Sequence, residues 1–299
     1  MAAQIIDGKK ISESIRLEIK EATQQMKAKH GIVPGLAFIL VGENPASQSY
    51  VGMKGKACEE VGFYSITERM PADTKEEALL AKVRAFNEDP NIHGLLVQLP
   101  LPKHISEHHV IDAIDPRKDV DGFHPVNVGK LVIGEECLRP CTPAGIQELL
   151  IRSGNDPAGK HVVVVGRSNI VGKPIANILL QKQRGANAVV TIAHTGAPDL
   201  TVYTKRADIL IAAIGKAEAV TGAMLKEGAV VIDVGSNRVE DPSAKKGYRF
   251  VGDVHFESAS KVAGAITPSP GGVGPMTIAM LLKNTLHAAE MALRANAAD

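Results

Sequence analysis

A tyrosine and a lysine stand four residues apart in SQSYVGMKGKACEEVG, a segment with a helical pattern. Residues at this spacing project from one helix face, so the Tyr50 phenol and the Lys54 ammonium would lie side by side. A lysine whose pKa is lowered by burial or neighbours can move a proton near neutral pH, while the tyrosine holds or shields a substrate. Solvated lysines on amphipathic helices show the same spacing, so the pair alone leaves both interpretations open.

Two other polar side chains are candidates for the same chemistry. Gln98 lies in GLLVQLPLP at the C-terminal end of an apolar run, the edge where open α/β sheets usually carry ligands. Its amide either positions Lys54 or satisfies nearby backbone groups. Asp121, in the loop RKDVDGFHP, could accept hydrogen bonds from an aminopyrimidine ring, although Asx turns use aspartate in such loops too. Asp119, two residues earlier, is expected to shape the turn.

A second candidate site is the segment HVVVVGRSNIVGKP, which predicts a buried strand, a glycine turn and a helix. Gly166 suits a tight strand exit, Ser168 lies in the turn, and Gly172 lets the helix pack closely. The first backbone N–H groups of that helix would then face a pyrophosphate, as in a Rossmann turn. Glycine turns of this kind also occur without any nucleotide, and that alternative stays open at this point.

The residues around the glycine turn indicate which dinucleotide would bind. NAD sites usually place an acidic residue at the end of the second strand, where it binds the ribose hydroxyls. Here the second strand, AVVTIAHT, ends in His194 and Thr195, and Arg167 stands in the turn. Hydrogen-bond donors instead of a carboxylate suit a 2′-phosphate and therefore predict NADP, unless Arg167 is simply a solvated loop residue.

Short apolar runs alternate with helical patterns along the chain, which predicts an α/β fold with buried parallel strands. The runs are LAFILV (36–41), GLLVQL (94–99), HVVVVG (161–166), ILIAAI (209–214) and AVVIDVG (229–235). Between them, Ile11 to Met26 follow helical spacing, and Thr74 with Glu77 matches a capping box. In CTPAG, Thr142 is expected to cap a helix with Pro143 in its first turn.

The order of these segments predicts two α/β domains, the second a Rossmann-like NADP-binding domain, with the active-site cleft between them. An irregular stretch from Asp115 to Pro143 marks the junction. We expect a catalytic domain at 1–146 that regains the terminal helix at 277–299, and a nucleotide domain at 147–276. In short-chain dehydrogenases the Tyr-x-x-x-Lys pair follows the glycine turn, whereas here it precedes the turn, which favours a separate domain.

Composition points to a small-molecule partner. The 299 residues carry a formal net charge of +1 and 3% aromatic residues with no Trp, which argues against a nucleic-acid or anionic membrane surface. The three cysteines form no close CxxC pair, so neither a disulfide framework nor a zinc site is indicated. The N-terminal MAAQIIDGKK lacks the apolar core of a signal peptide. We therefore expect a cytoplasmic protein without a metal.

Taken together, the ordered segments resemble the bifunctional methylenetetrahydrofolate dehydrogenase and methenyltetrahydrofolate cyclohydrolase family, called FolD in bacteria. The segments are SYVGMKGKACEEVG, GLLVQLPLP, KDVDGFHPVNVGKL, PCTPAG, VVGRSNIVGKP, GAVVIDVG, VGDV and TPSPGGVGPMT. The resemblance spans nearly the whole chain. It implies NADP-dependent oxidation of 5,10-methylenetetrahydrofolate to the methenyl form, followed by hydrolysis to 10-formyltetrahydrofolate.

The resemblance also implies roles for individual residues. Lys54 would be the central catalytic residue, held by Gln98, with Tyr50 against the aminobenzoyl group and Asp121 on the pterin ring. The folate would also contact a proline-glycine loop, and NADP would bind residues after three strands. The loop residues are Pro270, Gly271 and Gly272, and the cofactor residues are Gly166, Arg167, Ser168, Thr195 and Ser236. Two chains would pair as a homodimer through their nucleotide domains.

Three features depart from the family pattern: Ser269 stands where Val is frequent, Ser236 stands where Ile is common, and the segment QKQRGAN (181–187) is slightly longer than usual. Two alternative functions also remain at this stage. One is a monofunctional NAD(P) dehydrogenase of a related two-domain type that acts on another substrate. The other is a non-catalytic folate-binding protein, which would have no need for Lys54.

Overall fold

The structure, a computed structural model, describes residues 3–244 and 246–296. The strands are β1 (Gln4–Ile5), β2 (Gly35–Val41), β3 (Tyr64–Met70), β4 (Gly94–Val97), β5 (His161–Val165), β6 (Val189–Ala193), β7 (Ile209–Ala212), β8 (Val230–Asp233), β9 (Asn237–Glu240), β10 (Tyr248–Val251) and β11 (Ala265–Ile266). The helices are α1 (Gly8–His30), α2 (Pro45–Val61), α3 (Glu76–Glu88), α4 (Glu107–Ala113), α5 (Pro125–Ile133), α6 (Cys141–Arg152), α7 (Gly172–Leu180), α8 (Thr201–Thr204), α9 (Phe256–Ala259) and α10 (Val273–Asn296).

The chain divides into two compact units. The nucleotide unit, as we name it, comprises residues 1–12 and 142–277, and the lysine unit comprises residues 13–141 and 278–299. Compared with the predicted domains, the first twelve residues belong to the nucleotide unit, and the boundary falls at the start of α6. The terminal residues from 278 onwards group with the lysine unit.

A six-stranded parallel sheet forms the centre of the nucleotide unit, in the order β1-β11-β8-β7-β5-β6. The valine-rich β5 has four of its five side chains buried, and β7 is buried throughout, as continuous apolar runs predict for a parallel sheet. The predicted strands of this unit are present with slightly shorter bounds. The two-residue strands β1 and β11 and the antiparallel hairpin β9-β10 lacked a sequence signal of that kind.

The lysine unit contains a three-stranded parallel sheet in the order β3-β2-β4. Every residue of β2 is buried, and its side chains pack with Leu79, Val83 and Phe86 of α3. Strand β3, YSITERM, was missed because four of its seven residues are polar and none of the seven is fully buried. As an edge strand it buries less apolar surface than its neighbour and gives a weaker hydrophobic signal.

The predicted helix that carries Tyr50 and Lys54 is present, whereas two predicted helix starts are wrong. The helix that carries Tyr50 and Lys54 begins after Asn44, whose side chain accepts hydrogen bonds from two backbone N–H groups, and ends at Gly62 with φ 80°. The capping box at Thr74 was wrong, because the Thr74 hydroxyl donates to Pro71 O and α3 begins after Lys75. Thr142 was likewise expected as a cap but lies inside α6.

Among the described residues, we find no helix whose length and hydropathy would let it span a membrane. The three cysteines are buried and free. No cluster of three or more His, Cys, Asp or Glu side chains suited to a metal ion occurs in residues 3–244 and 246–296.

Candidate functional site

The candidate residues form two groups, one in each unit. In the lysine unit, α2 presents Lys54 to the residue that follows β4. Lys54 Nζ donates to Gln98 Oε1 at 3.0 Å, and Gln98 Nε2 donates to Leu99 O at 2.7 Å. The second bond fixes the amide so that its oxygen faces the lysine. The structure therefore brings together two residues that are far apart in the sequence, in the geometry expected of a positioned proton carrier.

Tyr50 lies one helical turn before Lys54 on α2. Tyr50 is 52% exposed, although Ser47 and Val51 on the same helix are buried. An aromatic face of this kind is accessible to a flat ligand that approaches the lysine.

Asp121 is the third polar group near Lys54. Burial raises the pKa of its carboxyl; the positive charge of Lys54 opposes this effect, and the negative charge of Asp119 adds to it. The Cys141 thiol lies 4.0 Å from Asp121 Oδ1 and 3.3 Å from Val120 O. The Lys54 charge therefore partly offsets the cost of ionising the Asp121 carboxyl.

Asp119 has the turn-shaping role that the sequence suggested. Its carboxylate accepts bonds from the backbone N–H groups of Gly122 and His124, and from the Asn127 side chain. Gly122 has φ 73°, and a Cβ there would come within 2.5 Å of the Arg139 carbonyl carbon. The turn therefore needs glycine for both its backbone angle and its close packing.

Sequence reasoning missed a residue that supports the Asp121 loop. Asn284, on α10, donates from Nδ2 to Val120 O at 2.8 Å and to Arg139 O at 2.7 Å. Burial raises the pKa of the neighbouring Cys141 thiol well above its ordinary value, so the thiol stays protonated. Cys141 stood in the PCTPAG segment, but nothing in the pattern of the terminal helix singled out Asn284.

In the nucleotide unit, the glycine turn after β5 has the expected close packing. Gly166 has φ 134°, and a Cβ on it would overlap Ala213 O. A Cβ on Gly172 would overlap Gly166 O and come within 2.6 Å of its carbonyl carbon. The Ser168 hydroxyl accepts from the N–H groups of Val171 and Gly172 at 3.1 and 3.3 Å. These contacts fix the turn at the first residues of α7.

The other predicted cofactor residues lie at the same edge of the sheet. Thr195 follows β6 and Ser236 follows β8, and both are exposed, as is Arg167 in the turn after β5. All three strands are parallel, so their carboxyl ends share one edge. A cradle that excludes a Cβ, next to exposed hydroxyl and guanidinium donors, fits a dinucleotide with an additional phosphate.

The loop that carries the predicted folate residues is held by hydrogen bonds within the nucleotide unit. Gly271 has φ 110° and its carbonyl accepts from Lys9 N at 3.2 Å. Gly272 N donates to Pro268 O at 2.8 Å, while Pro270 is exposed. Ser269, at a position that departs from the family pattern, donates from its hydroxyl to Gly235 O at 2.7 Å. Valine could not make that bond.

Comparison with known proteins gives matches along both halves of the chain. Residues 6–121 match the family model described as tetrahydrofolate dehydrogenase/cyclohydrolase, catalytic domain. Residues 140–293 match the corresponding NAD(P)-binding domain.

Two relatives and two solved structures illustrate the similarity. "Bifunctional protein FolD" of Syntrophobacter fumaroxidans is 58% identical over 97% of this chain and 98% of its own, and that of Syntrophus aciditrophicus is 60% identical over 97% and 99%. The FolD crystal structure from Campylobacter jejuni is 47% identical with a TM-score of 0.90, covering 97% of this chain and 99% of that chain. The Trypanosoma brucei enzyme complexed with NADP cofactor and inhibitor is 41% identical with a TM-score of 0.91, covering 98% and 99%.

Proposed function

Because this chain belongs to the tetrahydrofolate dehydrogenase/cyclohydrolase family, we propose that it is a bifunctional enzyme of one-carbon folate metabolism. It oxidises 5,10-methylenetetrahydrofolate to 5,10-methenyltetrahydrofolate with NADP and hydrolyses the product to 10-formyltetrahydrofolate. The observation that carries the proposal is the bond of 3.0 Å from Lys54 Nζ to Gln98 Oε1, beside the Asp121 carboxyl.

The hydrolytic step needs a group that takes a proton and gives it back. As water adds to the methenyl carbon, Lys54 in its amine form accepts a proton from the water. The resulting ammonium donates that proton to N5 as the bond between N5 and the carbon breaks. The hydroxyl proton of the adduct then leaves to solvent, which gives the formyl group and one net proton. Gln98 keeps the amine aligned by accepting from it.

The remaining side chains of the lysine unit bind and orient the folate in this proposal. The raised pKa of Asp121 suits a carboxyl that meets the amino and ring N–H groups of the pterin, because such donors supply the stabilisation that burial removed. The exposed ring of Tyr50 packs against the aminobenzoyl group. We assign Pro270, Gly271 and Gly272 to folate binding as well.

NADP, when bound, supplies the nicotinamide that accepts the hydride from the methylene carbon. This chain contributes the glycine turn after β5, where the backbone can approach the pyrophosphate closely because a Cβ on Gly166 or Gly172 has no room. The N–H groups of Val171 and Gly172, expected to face the pyrophosphate, instead donate to the Ser168 hydroxyl and hold the turn. Arg167 and Thr195 are assigned to the 2′-phosphate, and Ser236 to the cofactor at the end of β8. The T. brucei relative's complex with NADP supports this choice of cofactor.

The test is a spectrophotometric assay of the purified chain with 5,10-methylenetetrahydrofolate and NADP. We expect methenyl absorbance and NADPH to appear, and we expect added methenyltetrahydrofolate to be hydrolysed without cofactor. NADPH without methenyl absorbance on another substrate would favour a non-folate dehydrogenase. No turnover of either folate would favour a binding protein, and preference for NAD would reverse the cofactor assignment.

We also propose that the enzyme is a homodimer in the cytoplasm. In the described residues β6 lies at one edge of the six-stranded sheet, and Val189 and Ile192 on it are 65% and 42% exposed. An apolar edge strand is suited to pairing with a second copy. Buried free cysteines fit a reducing compartment. Sedimentation of the Val189→Lys variant should give a monomer where the parent chain gives a dimer; a monomeric parent chain would contradict the dimer.

A further inference from the structure

A buried carboxylate binds the backbone of a loop at the sheet edge to which the cofactor is assigned. Asp253, two residues after β10, has no exposed surface. Its Oδ2 accepts from the backbone N–H groups of Ile214 at 2.6 Å and Gly215 at 2.9 Å. Its Oδ1 accepts from Lys216 N at 3.0 Å and from the Asn237 side chain at 2.8 Å. One side chain therefore holds three successive backbone amides after β7.

The loop that Asp253 holds lies at a special point of the sheet. The chain leaves β5 towards β6 on one side, whereas β7 and β8 continue on the other side of β5. The loops after β5 and β7 therefore border the crevice where the strand order reverses, the usual ligand site of an open α/β sheet. The two loops also touch, because a Cβ on Gly166 would overlap Ala213 O.

A second buried carboxylate fixes Asp253 itself. Asp233, the last residue of β8, accepts at Oδ1 from Asp253 N at 2.8 Å and from Gly235 N at 2.9 Å. Its Oδ2 accepts from Val254 N at 3.1 Å. Gly235 immediately precedes Ser236, to which a cofactor role is assigned. The loops after β7 and β8 are thus joined through two carboxylates.

We propose that Asp253 is a positioning residue for the NADP-dependent step, because its carboxylate holds the 214–216 backbone as the second side of the cofactor crevice. Four N–H donors converge on it, so the group must be an acceptor at both oxygens. An asparagine of the same shape would turn an NH₂ towards one pair of donors and release part of the loop. The inference rests on the proposed function.

The experiment measures both activities of Asp253→Asn. Loss of one charged acceptor should raise the KM for NADP about tenfold or more, with a smaller change in dehydrogenase kcat. Hydrolysis of added methenyltetrahydrofolate needs no cofactor, so it should stay within about twofold of the parent chain. Asp156→Asn, the same chemical change on an exposed loop before β5, is the matched control and should leave both activities unchanged.

The outcomes separate this inference from the proposed function. An unchanged KM for NADP overturns the inference, as does an equal loss of both activities, which would indicate a purely structural role. Failure of the parent chain to turn over either folate overturns the proposed function instead. If Asp253→Asn does not fold, Asn237→Ala removes one donor to the same carboxylate; the KM for NADP should then rise about threefold, and an unchanged value overturns the inference.

Discussion

The two units build their candidate sites differently, one from side chains and the other mostly from backbone. In the lysine unit the candidate groups are side chains: a lysine on a helix, a glutamine after a strand and an aspartate in a turn. In the nucleotide unit the site is mostly backbone, with a turn that excludes any Cβ and amides held from behind. Proton transfer requires a titratable group at one point, whereas a dinucleotide requires a backbone that it can approach closely.

Two aspartates show the same contrast: Asp253 has no exposed surface, whereas Asp121 is half-buried. Four N–H donors occupy Asp253, so it is suited to holding the protein's own backbone. Among the hydrogen bonds of the described residues, Asp121 accepts one, from the Cys141 thiol 4.0 Å away, and burial raises its pKa. A carboxyl with acceptor capacity left is suited to a ligand. Hydrogen-bond partners therefore separate the structural Asp253 from Asp121, the candidate for folate binding.

The largest effect is expected in the lysine unit. Lys54→Met should lower cyclohydrolase turnover by about 10²–10⁴-fold, because the variant has no group that can accept and return a proton. The assay is the decay of added methenyltetrahydrofolate. Lys56→Met, an exposed lysine two residues further along α2, is the control and should keep the parent rate. Normal turnover by Lys54→Met would remove the basis for placing the chemistry in the lysine unit.

A pH dependence of stability is expected from the nucleotide unit. Burial raises the pKa of Asp233 to about 6, so the folded state binds this proton more tightly than the unfolded chain does. The parent chain should therefore lose stability as the pH rises from about 4 to about 6. Relative to Asp233→Asn, which does not titrate, the free energy of unfolding should fall by up to about 3 kcal/mol. Denaturant titrations at several pH values measure this difference, and a constant difference would contradict it.

Adding a single methyl group at Gly172 should impair NADP binding without impairing cyclohydrolase activity. Gly172→Ala places a Cβ against the Gly166 carbonyl, and displacing that turn should raise the Kd for NADP by about tenfold to a hundredfold, a cost typical of overpacking. Cyclohydrolase activity should persist. Gly129→Ala, in α5 with nothing within 4 Å of the new Cβ, is the matched control and should leave NADP binding intact. Equal loss of both activities in Gly172→Ala would mean that the two sites are not independent.

The smallest effect is expected at an exposed side chain. Arg167→Gln should lower the ratio of kcat/KM for NADP to that for NAD about tenfold, the size of one charged contact to a phosphate. Arg184→Gln, also exposed in the nucleotide unit, should leave the ratio unchanged. If Arg167→Gln keeps the parent ratio, selectivity depends on other donors such as Thr195.

Much of the fold was predictable because its signals are local. Continuous apolar runs predicted β2, β5 and β7, and the spacing of Tyr50 and Lys54 predicted their shared helix. The glycine turn was recognisable because only glycine tolerates its backbone angle and contacts. The family resemblance was carried by the order of such segments. Edge strand β3 and the start of α3 were missed or misplaced because packing, not local pattern, decides them.

Sequence by itself thus determined the elements, the glycine turn and the residues eligible for chemistry. Only the tertiary structure decided that Gln98 directs its amide oxygen at Lys54 and that Asp253 binds the backbone after β7. These partners are far apart in the chain, so strand order and register bring them together, and no local pattern encodes them. The same physics decided that Asp119 and Asp253 are occupied by the protein's own N–H groups while Asp121 retains capacity for a ligand.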